Sequence, residues 1–277
     1  GADTALMYDS LLEAKAEDRF LKYEGRSISI GNFSEAAAGI LGGFLASISF
    51  RYPAYAQVFI AFATIPFAFS LIEPKVNTKQ LKSSWKSIRN IIKFSLIESK
   101  ILRTYIIYSS AIGLGTLMMA WLAQPFLKEI GISMKSYGVI WALLNIMVGL
   151  VAFFAHKIEK KMTEFKSLFI VGFSCILGYI LMANYMNYIG LFILFLFYAN
   201  RGYATPLLRN YINSHTESSM RATVMSIRSF IIRTSFALIA PFIGWIADQY
   251  GLNIALLTMA LTVCILAIPC LFILQKN

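Results

Sequence analysis

The chain has 277 residues, of which 58% are hydrophobic and 14% are charged, and its mean hydropathy is +0.65. A soluble domain has roughly 45–50% apolar residues, so this composition excludes an ordinary water-soluble fold. Apolar runs of about 20 residues, long enough to cross a bilayer core of roughly 30 Å, recur along the chain. The sequence therefore predicts an all-α integral membrane protein.

The net charge is +11, and a basic balance raises the question of nucleic acid. The Lys and Arg lie mostly in short loops between apolar runs, and no zinc-finger or RNA-binding signature is present, so we expect no nucleic-acid partner. Cys175, Cys264 and Cys270 fall in apolar runs without metal-ligand spacing. They are interpreted as packing thiols, and no metal or cofactor is expected.

The apolar pattern predicts eight full spans, at residues 27–49, 54–72, 102–126, 137–156, 167–184, 189–209, 229–247 and 253–274. Residues 1–11 have the composition of the end of a further span. The chain starts at Gly1 without an initiator Met or a signal peptide, so we expect it to belong to a longer protein.

The positions of the charges predict the orientation. Of the 25 Lys and Arg, only Arg51, Lys128 and Lys135 lie in loops on one side of the spans, and Arg201 lies inside a span. Positive residues remain in the cytoplasm, so the side with the remaining Lys and Arg is predicted to be cytoplasmic, together with the C-terminus. We expect a multi-pass protein of the plasma membrane.

The long basic loop contains a predicted amphipathic helix in "LKSSWKSIRNIIKFSL", residues 81–96. One face carries apolar residues and the other faces carry cations, namely Leu81, Trp85, Ile88 and Ile92 against Lys82, Lys86, Arg89 and Lys93. This pattern is typical of a helix on an anionic membrane surface. Calmodulin-like recognition fits it too, and a plain linker between two bundles is the simplest interpretation.

The chain also repeats weakly on itself. A constant offset of 201 aligns Gly1 with Gly202, Thr4 with Thr205, and several later pairs, with spans superposed in the same orientation. Such parallel repeats occur in transporters. If the repeat is real, about 100 residues and most of four spans would precede Gly1, in a full chain of about 380 residues.

Four stretches carry a resemblance to a known family: "GADTALMYDSLLEA", "GGFLASISFRYPAY", "RNYINSHTESSMRATVMSIRSF" and "PFIGWIADQYGLNIALL". With these, the chain resembles a bacterial member of the major facilitator superfamily, from the end of the fourth span to the twelfth. The loop "HKIEKKMTEF" keeps the basic charge of the family's signature loop but lacks its glycines.

The resemblance implies a fold of two six-helix bundles. Residues 1–73 would contain the end of the fourth span and spans five and six, 74–101 the linker, and 102–277 spans seven to twelve. It further implies a transporter that works by alternating access, and we expect a monomer in the lipid bilayer.

Arg201 in "YANRGYATPLLRNY" is the main candidate site residue. A charge near the midplane costs about 2.5–3.5 kcal/mol on insertion scales, so it must face protein or water. Tyr198 and Thr205 share its helical face, which predicts a polar stripe, and the resemblance implies that this helix lines the central cavity. The alternative is a structural Arg that binds carbonyls or a carboxylate.

Glu35 is the only carboxylate deep inside a predicted span, and we expect it to pair with Arg201. Our hypothesis is that Glu35 binds a proton or a cationic substrate group and that the pair breaks during transport. A static ion pair between the bundles is the alternative. Six other residues within spans are candidates for the pathway or, alternatively, for packing and the interface belt: Asn32, Tyr108, Trp121, Gln124, Trp141 and Asn145.

The resemblance also implies gate residues at the loops. Asp3 and Asp9 would hold cytoplasmic loops together in one state, with Arg partners expected outside this chain. Arg221 and Asp248 are predicted to be gate or turn residues, and plain charge anchoring is the alternative.

The combined prediction is a secondary transporter of a small organic molecule, coupled to protons and working as an exporter. A non-transporting receptor or scaffold with the same fold is one alternative. An integral-membrane enzyme is another, but it predicts clustered His, Asp or Glu at one membrane face, and the sequence shows no such cluster.

Overall fold

The computed structural model describes residues 2–49, 51–72 and 85–275. These ranges form α-helices and short helical turns without any strand. The helices are α1 (Ala2–Glu13), α2 (Phe20–Ile48), α3 (Arg51–Phe69), α4 (Trp85–Lys93), α5 (Lys100–Glu129), α6 (Tyr137–Glu159), α7 (Glu164–Asn184), α8 (Tyr188–Ser214), α9 (Ser218–Tyr250) and α10 (Leu252–Gln275).

Eight of the described helices, all except α1 and α4, are long and apolar enough to cross a membrane. The prediction of an all-α membrane fold with eight full spans is therefore confirmed. Several helices continue well beyond the predicted spans: α2 begins at Phe20 instead of residue 27, and α9 begins at Ser218 instead of residue 229. Hydropathy ends a span at the first charges, whereas a helix continues as long as its backbone hydrogen bonds are satisfied.

The spans alternate in direction, so one end of the bundle collects the loops rich in cations. We call this the basic end and define it by the turn between α6 and α7, which carries Lys157, Lys160 and Lys161. Helices α2, α5, α7 and α9 start at the basic end, and α6, α8 and α10 finish there.

The buried core lies mainly in α5, α7, α8 and α10, which pack against one another. Helix α2 packs along α6, where Gly25 permits a close approach: a Cβ on Gly25 would lie 2.3 Å from the carbonyl oxygen of Ala152. Helix α1 packs against α9 at the basic end. Helix α3 contacts α2 and contains no buried residue.

Helix α4 covers part of the predicted amphipathic segment, whose Leu81 and Lys82 lie outside the described residues. Ile91 of α4 is buried, and α4 contacts α9. Trp85 remains 88% exposed, on the apolar face that the sequence assigned to the membrane surface.

Candidate functional site

Arg201 lies at the midpoint of α8, thirteen residues from either end of the helix Tyr188–Ser214. Its guanidinium carbon lies 5.7 Å from the ring centroid of Tyr198, one turn earlier on the helix. Thr205 lies one turn later, and its hydroxyl donates to the carbonyl oxygen of Arg201 at 2.8 Å. The three residues thus follow one another along the helix as the predicted stripe requires.

Arg201 and Thr205 line a cavity of about 520 Å³, which we call the cationic cavity. Three helices form it: Gly113, Thr116 and Leu117 come from α5, Arg201 and Thr205 from α8, and Arg228, Ser229, Ile232, Arg233 and Phe236 from α9. The described lining thus contains three arginines and three hydroxyl side chains, but no Asp or Glu. It is suited to a ligand that accepts hydrogen bonds and carries negative charge.

Arg228 and Arg233 are the two members of this set that sequence reasoning missed, because it placed both among the cations of the cytoplasmic side. In the structure both lie inside α9. Arg228 is 7% exposed, and its Nε donates to the hydroxyl of Ser109 on α5. The available signal was its spacing of seven residues from Arg221, which places both on one helical face.

A second cavity of about 530 Å³ lies between α2, α5 and α6, and we call it the aromatic cavity. Its lining is largely apolar, with Gly39, Ala120, Trp121, Ala123, Gln124, Leu127, Tyr137, Gly138, Trp141 and Leu144. Trp121 contacts Phe236 of the cationic cavity at a ring distance of 5.9 Å. Trp141 contacts Tyr198, the ring against which Arg201 packs, at 6.3 Å.

Glu35 lies close to the middle of α2, and it is exposed. Both Glu35 and Arg201 are near enough to the Tyr198 hydroxyl to interact with it electrostatically. However, the described residues contain no ion pair between Glu35 and Arg201, so the expected direct pair is wrong for this conformation. The guanidinium of Arg201 instead packs against the ring of Tyr198.

Three other pathway candidates have local structural partners. The Tyr108 hydroxyl donates to the carbonyl oxygen of Leu168 on α7, and Tyr108 is fully buried. The Asn145 and Asn32 amides donate to carbonyl oxygens one turn earlier on their own helices. None of the three belongs to the described lining of the two cavities, which favours their packing interpretation. Gln124 does line the aromatic cavity.

Two ion pairs join α1 and α2 to α8 and α9 near the basic end. Glu24 of α2 accepts from Nη1 of Arg209 on α8 at 2.6 Å, and its side chain is 3% exposed. Asp9 of α1 accepts from Arg221 of α9. The sequence missed Glu24 because its predicted span began three residues later.

The guanidinium group of Arg221 has several partners in addition to the ion pair. Besides Asp9, its guanidinium donates to the carbonyl oxygen of Thr216 at 2.7 Å and packs over the ring of Tyr8 at 4.1 Å. The expectation that Asp9 would find its Arg partner outside this chain is therefore wrong in this structure. Two of the four residues predicted to act at gates, Asp9 and Arg221, are thus in direct contact.

The remaining gate candidates lie apart from this contact. Asp3 is exposed at the start of α1, within electrostatic range of Arg209. Asp248 is exposed near the C-terminal end of α9, at the end of the bundle opposite Arg221.

Sequence reasoning also missed Glu159, which lies in the degenerate signature loop. Its carboxylate accepts hydrogen bonds from the hydroxyls of Ser167, Tyr203 and Tyr211. These bonds connect α6, α7 and α8 at the basic end. Because the Glu159 carboxylate accepts hydrogen bonds from three hydroxyl groups, it holds α6, α7 and α8 together at the basic end.

Eight helices long and apolar enough to cross a membrane, together with a cavity lined by an arginine at mid-span, are typical of a multi-pass transport protein. A sequence model of the Major Facilitator Superfamily matches residues 16–235. Since this match includes most of the chain, the chain belongs to the Major Facilitator Superfamily, whose members are membrane transporters. No curated protein matches the chain.

Proposed function

We propose that this protein is a secondary transporter that moves a small organic molecule by alternating access. The observation that carries the proposal is the cationic cavity at mid-span, lined by Arg201, together with the ion pairs between α1, α2 and α8, α9 at one end of the bundle. A cavity at the midplane with contacts on one side of it has the arrangement that a transporter needs in one of its two states.

We further propose that α1 to α3 belong to one bundle and α5 to α10 to the other, with the segment around α4 linking them. On this assignment the pairs Glu24–Arg209 and Asp9–Arg221 are contacts between the bundles. Rotation of one bundle relative to the other would break both pairs and open the cavity at the basic end, which we place in the cytoplasm. Substrate binding must then favour the open state by enough free energy to offset these lost contacts.

Glu35 is our candidate for the proton carrier. It lies at the middle of α2, and it interacts electrostatically with the Tyr198 hydroxyl next to Arg201. A carboxylate at this depth can change its protonation as its surroundings change between the two states. We propose that protonation of Glu35 drives substrate export across the plasma membrane, a direction chosen by analogy with bacterial relatives.

The test uses the complete natural chain in inverted membrane vesicles that carry an imposed proton gradient. A panel of small organic compounds is added, and loss of the gradient is recorded for the wild type, for Glu35→Gln and for Glu129→Gln. Glu129 is exposed at the C-terminal end of α5 and provides the matched control.

We expect at least one compound to dissipate the gradient with the wild type and with Glu129→Gln, but not with Glu35→Gln. Equal dissipation in all three proteins would contradict the role of Glu35. Tight binding of a compound without any movement across the membrane would contradict transport and favour the receptor alternative.

A further inference from the structure

The five arginines of α8 and α9 fall into two groups, which differ in their partners. Arg209 and Arg221 each form an ion pair with a carboxylate. Arg201, Arg228 and Arg233, which all line the cationic cavity, form no ion pair within the described part of the chain. Of these five arginines, the two near the basic end thus have a carboxylate partner, and the three around the cavity have none among the described residues.

Uncompensated charge at this depth is costly. Arg201 lies at the midpoint of α8, and Arg233 lies inside α9, and an arginine within a membrane-crossing helix is unfavourable unless it faces protein, water or a partner of opposite charge. Arg228 is buried among helices and donates to the Ser109 hydroxyl, which is neutral. Glu24 interacts electrostatically with Arg228, but it is already paired with Arg209. Glu35 interacts with Tyr198 next to Arg201, and its single negative charge cannot balance the three arginines of the cavity. A bound anion would supply the missing countercharge.

The hydroxyls support the same conclusion. Thr116, Thr205 and Ser229 line the cavity among the arginines, and hydroxyls can donate to the oxygens of an anion. Guanidinium groups suit carboxylate and phosphate oxygens because they offer paired donors in a fixed geometry. No described lining residue is a carboxylate that would favour a cationic ligand.

The aromatic cavity adds a second requirement. It is about as large as the cationic cavity, and its lining includes Trp121, Tyr137 and Trp141. The contact between Trp121 and Phe236 places the two cavities side by side. A ligand that reaches from one cavity into the other would place a charged group at the arginines and an apolar body against the tryptophans.

We propose that the substrate of this transporter is an amphipathic organic anion, bound through its anionic group by Arg201, Arg228 and Arg233 and through its apolar body by Trp121 and Trp141. This inference rests on the proposed transport function and deepens it, because it replaces an unspecified small molecule with a chemical class. It also replaces the earlier hypothesis that Glu35 binds a cationic substrate group.

The test measures binding to the complete natural chain, purified in detergent, by the shift of its thermal unfolding midpoint and by titration calorimetry. The probes are 4-phenylbutyrate, 4-phenylbutylphosphonate and 4-phenylbutylsulfonate, each compared with neutral 4-phenylbutyramide and cationic 4-phenylbutylamine. Acetate and inorganic phosphate test the anionic group without an apolar body.

We expect at least one phenylalkyl anion to raise the midpoint and to bind about tenfold or more tightly than the amide and the amine, because charge-assisted hydrogen bonds are stronger than those between neutral groups. Arg201→Gln and Arg233→Gln should each weaken anion binding about tenfold or more, and Arg201→Lys should weaken it less than Arg201→Gln. Lys161→Gln, a change at an exposed cation in the α6–α7 turn, should leave it unchanged. Trp121→Ala should weaken phenylalkyl anions but not acetate or phosphate.

Equal or stronger binding of the amine or the amide, or no binding by any anion, would overturn the proposal. Anion binding that is insensitive to Arg201→Gln and Arg233→Gln in folded, monodisperse variants would overturn the site. Flux separates this proposal from the transport function: specific anion binding without flux contradicts transport alone, whereas flux of neutral or cationic compounds without anion binding contradicts the substrate class alone.

Discussion

Glu24 and Arg209 form an ion pair with an oxygen–nitrogen distance of 2.6 Å, although they lie 185 positions apart in the chain. The Glu24 side chain is 3% exposed and that of Arg209 is 29% exposed. The pair connects α2 to α8, and Arg228 of the cationic cavity lies within electrostatic range of both residues. The contacts at the basic end and the cationic cavity are thus neighbours, so a change in one affects the electrostatics of the other.

We expect Glu24→Gln to lower the thermal unfolding midpoint of the purified protein, because it leaves Arg209 near buried Arg228 without a countercharge. Loss of one partner of a fully buried pair costs about 3–5 kcal/mol, and the partial exposure of Arg209 reduces this to roughly 1–3 kcal/mol. Asp18→Asn is the control, since Asp18 is exposed in the turn before α2. An unchanged midpoint for Glu24→Gln would show that the pair contributes no net stability.

The double exchange Glu24→Arg with Arg209→Glu restores the ion pair with reversed polarity. We expect its midpoint to lie above that of either single exchange, with a coupling free energy in the double-mutant cycle of roughly 1 kcal/mol or more. Additive effects of the two exchanges would contradict direct pairing.

Asp9→Asn is expected to shift the protein towards the state that is open at the basic end. It removes the carboxylate that contacts Arg221, and under the proposed alternating access the state open at the basic end would lack this contact. A loss of about 1.4 kcal/mol changes the ratio of the two states tenfold. The measurement is the rate at which a membrane-impermeant maleimide labels Thr205→Cys in the cationic cavity from the basic-end side.

The labelling experiment has a matched control in Asp248→Asn, which changes an exposed carboxylate at the opposite end of α9. Cys175 and Cys270 are buried and Cys264 is half-buried, so Thr205→Cys provides the reporter thiol inside the cavity. We expect faster labelling with Asp9→Asn and no change with Asp248→Asn. The same labelling rate in both variants would contradict the gate role of Asp9.

Gly25 and Gly31 provide a matched pair on α2. A Cβ on Gly25 would lie 2.3 Å from the backbone oxygen of Ala152 on α6, whereas a Cβ on Gly31 has nothing within 4 Å. Gly25→Ala should therefore force α2 away from α6 and cost about 1–3 kcal/mol, while Gly31→Ala should be neutral or stabilise the helix by up to about 1 kcal/mol. Unfolding midpoints of both variants test this, and a tolerated Gly25→Ala would contradict the close crossing.

Hydropathy alone was sufficient to predict the eight spans and the mid-span position of Arg201, because both depend on local composition. It could not locate Glu24 or Arg228, since these charges lie in helix that extends beyond the apolar window. Which Asp pairs with Arg221 depends on the packing of α1 against α9, and no local pattern contains that information. The predicted ion pair between Glu35 and Arg201 was wrong for the same reason. Equal depth in the membrane does not determine whether two side chains on different helices face each other.

Helix α4 gives the last prediction, which concerns the membrane surface. Its Ile91 packs into the protein, while Trp85, Ile88 and Ile92 are exposed at 88%, 38% and 41%, on the face that the sequence assigned to lipid. Lys86 and Arg89 are also exposed on α4, and cations near an anionic membrane surface contribute about 1 kcal/mol each to the free energy of binding to that surface.

We expect brominated lipids to quench the fluorescence of Trp85 in reconstituted protein, and a larger fraction of anionic lipid to increase this quenching. The contribution of Trp85 is the difference between the wild type and Trp85→Phe, and Lys86→Gln with Arg89→Gln should weaken its dependence on anionic lipid. Quenching that is the same in the wild type and Trp85→Phe would show that α4 stays away from the bilayer, and the plain linker would then be the better interpretation of this segment.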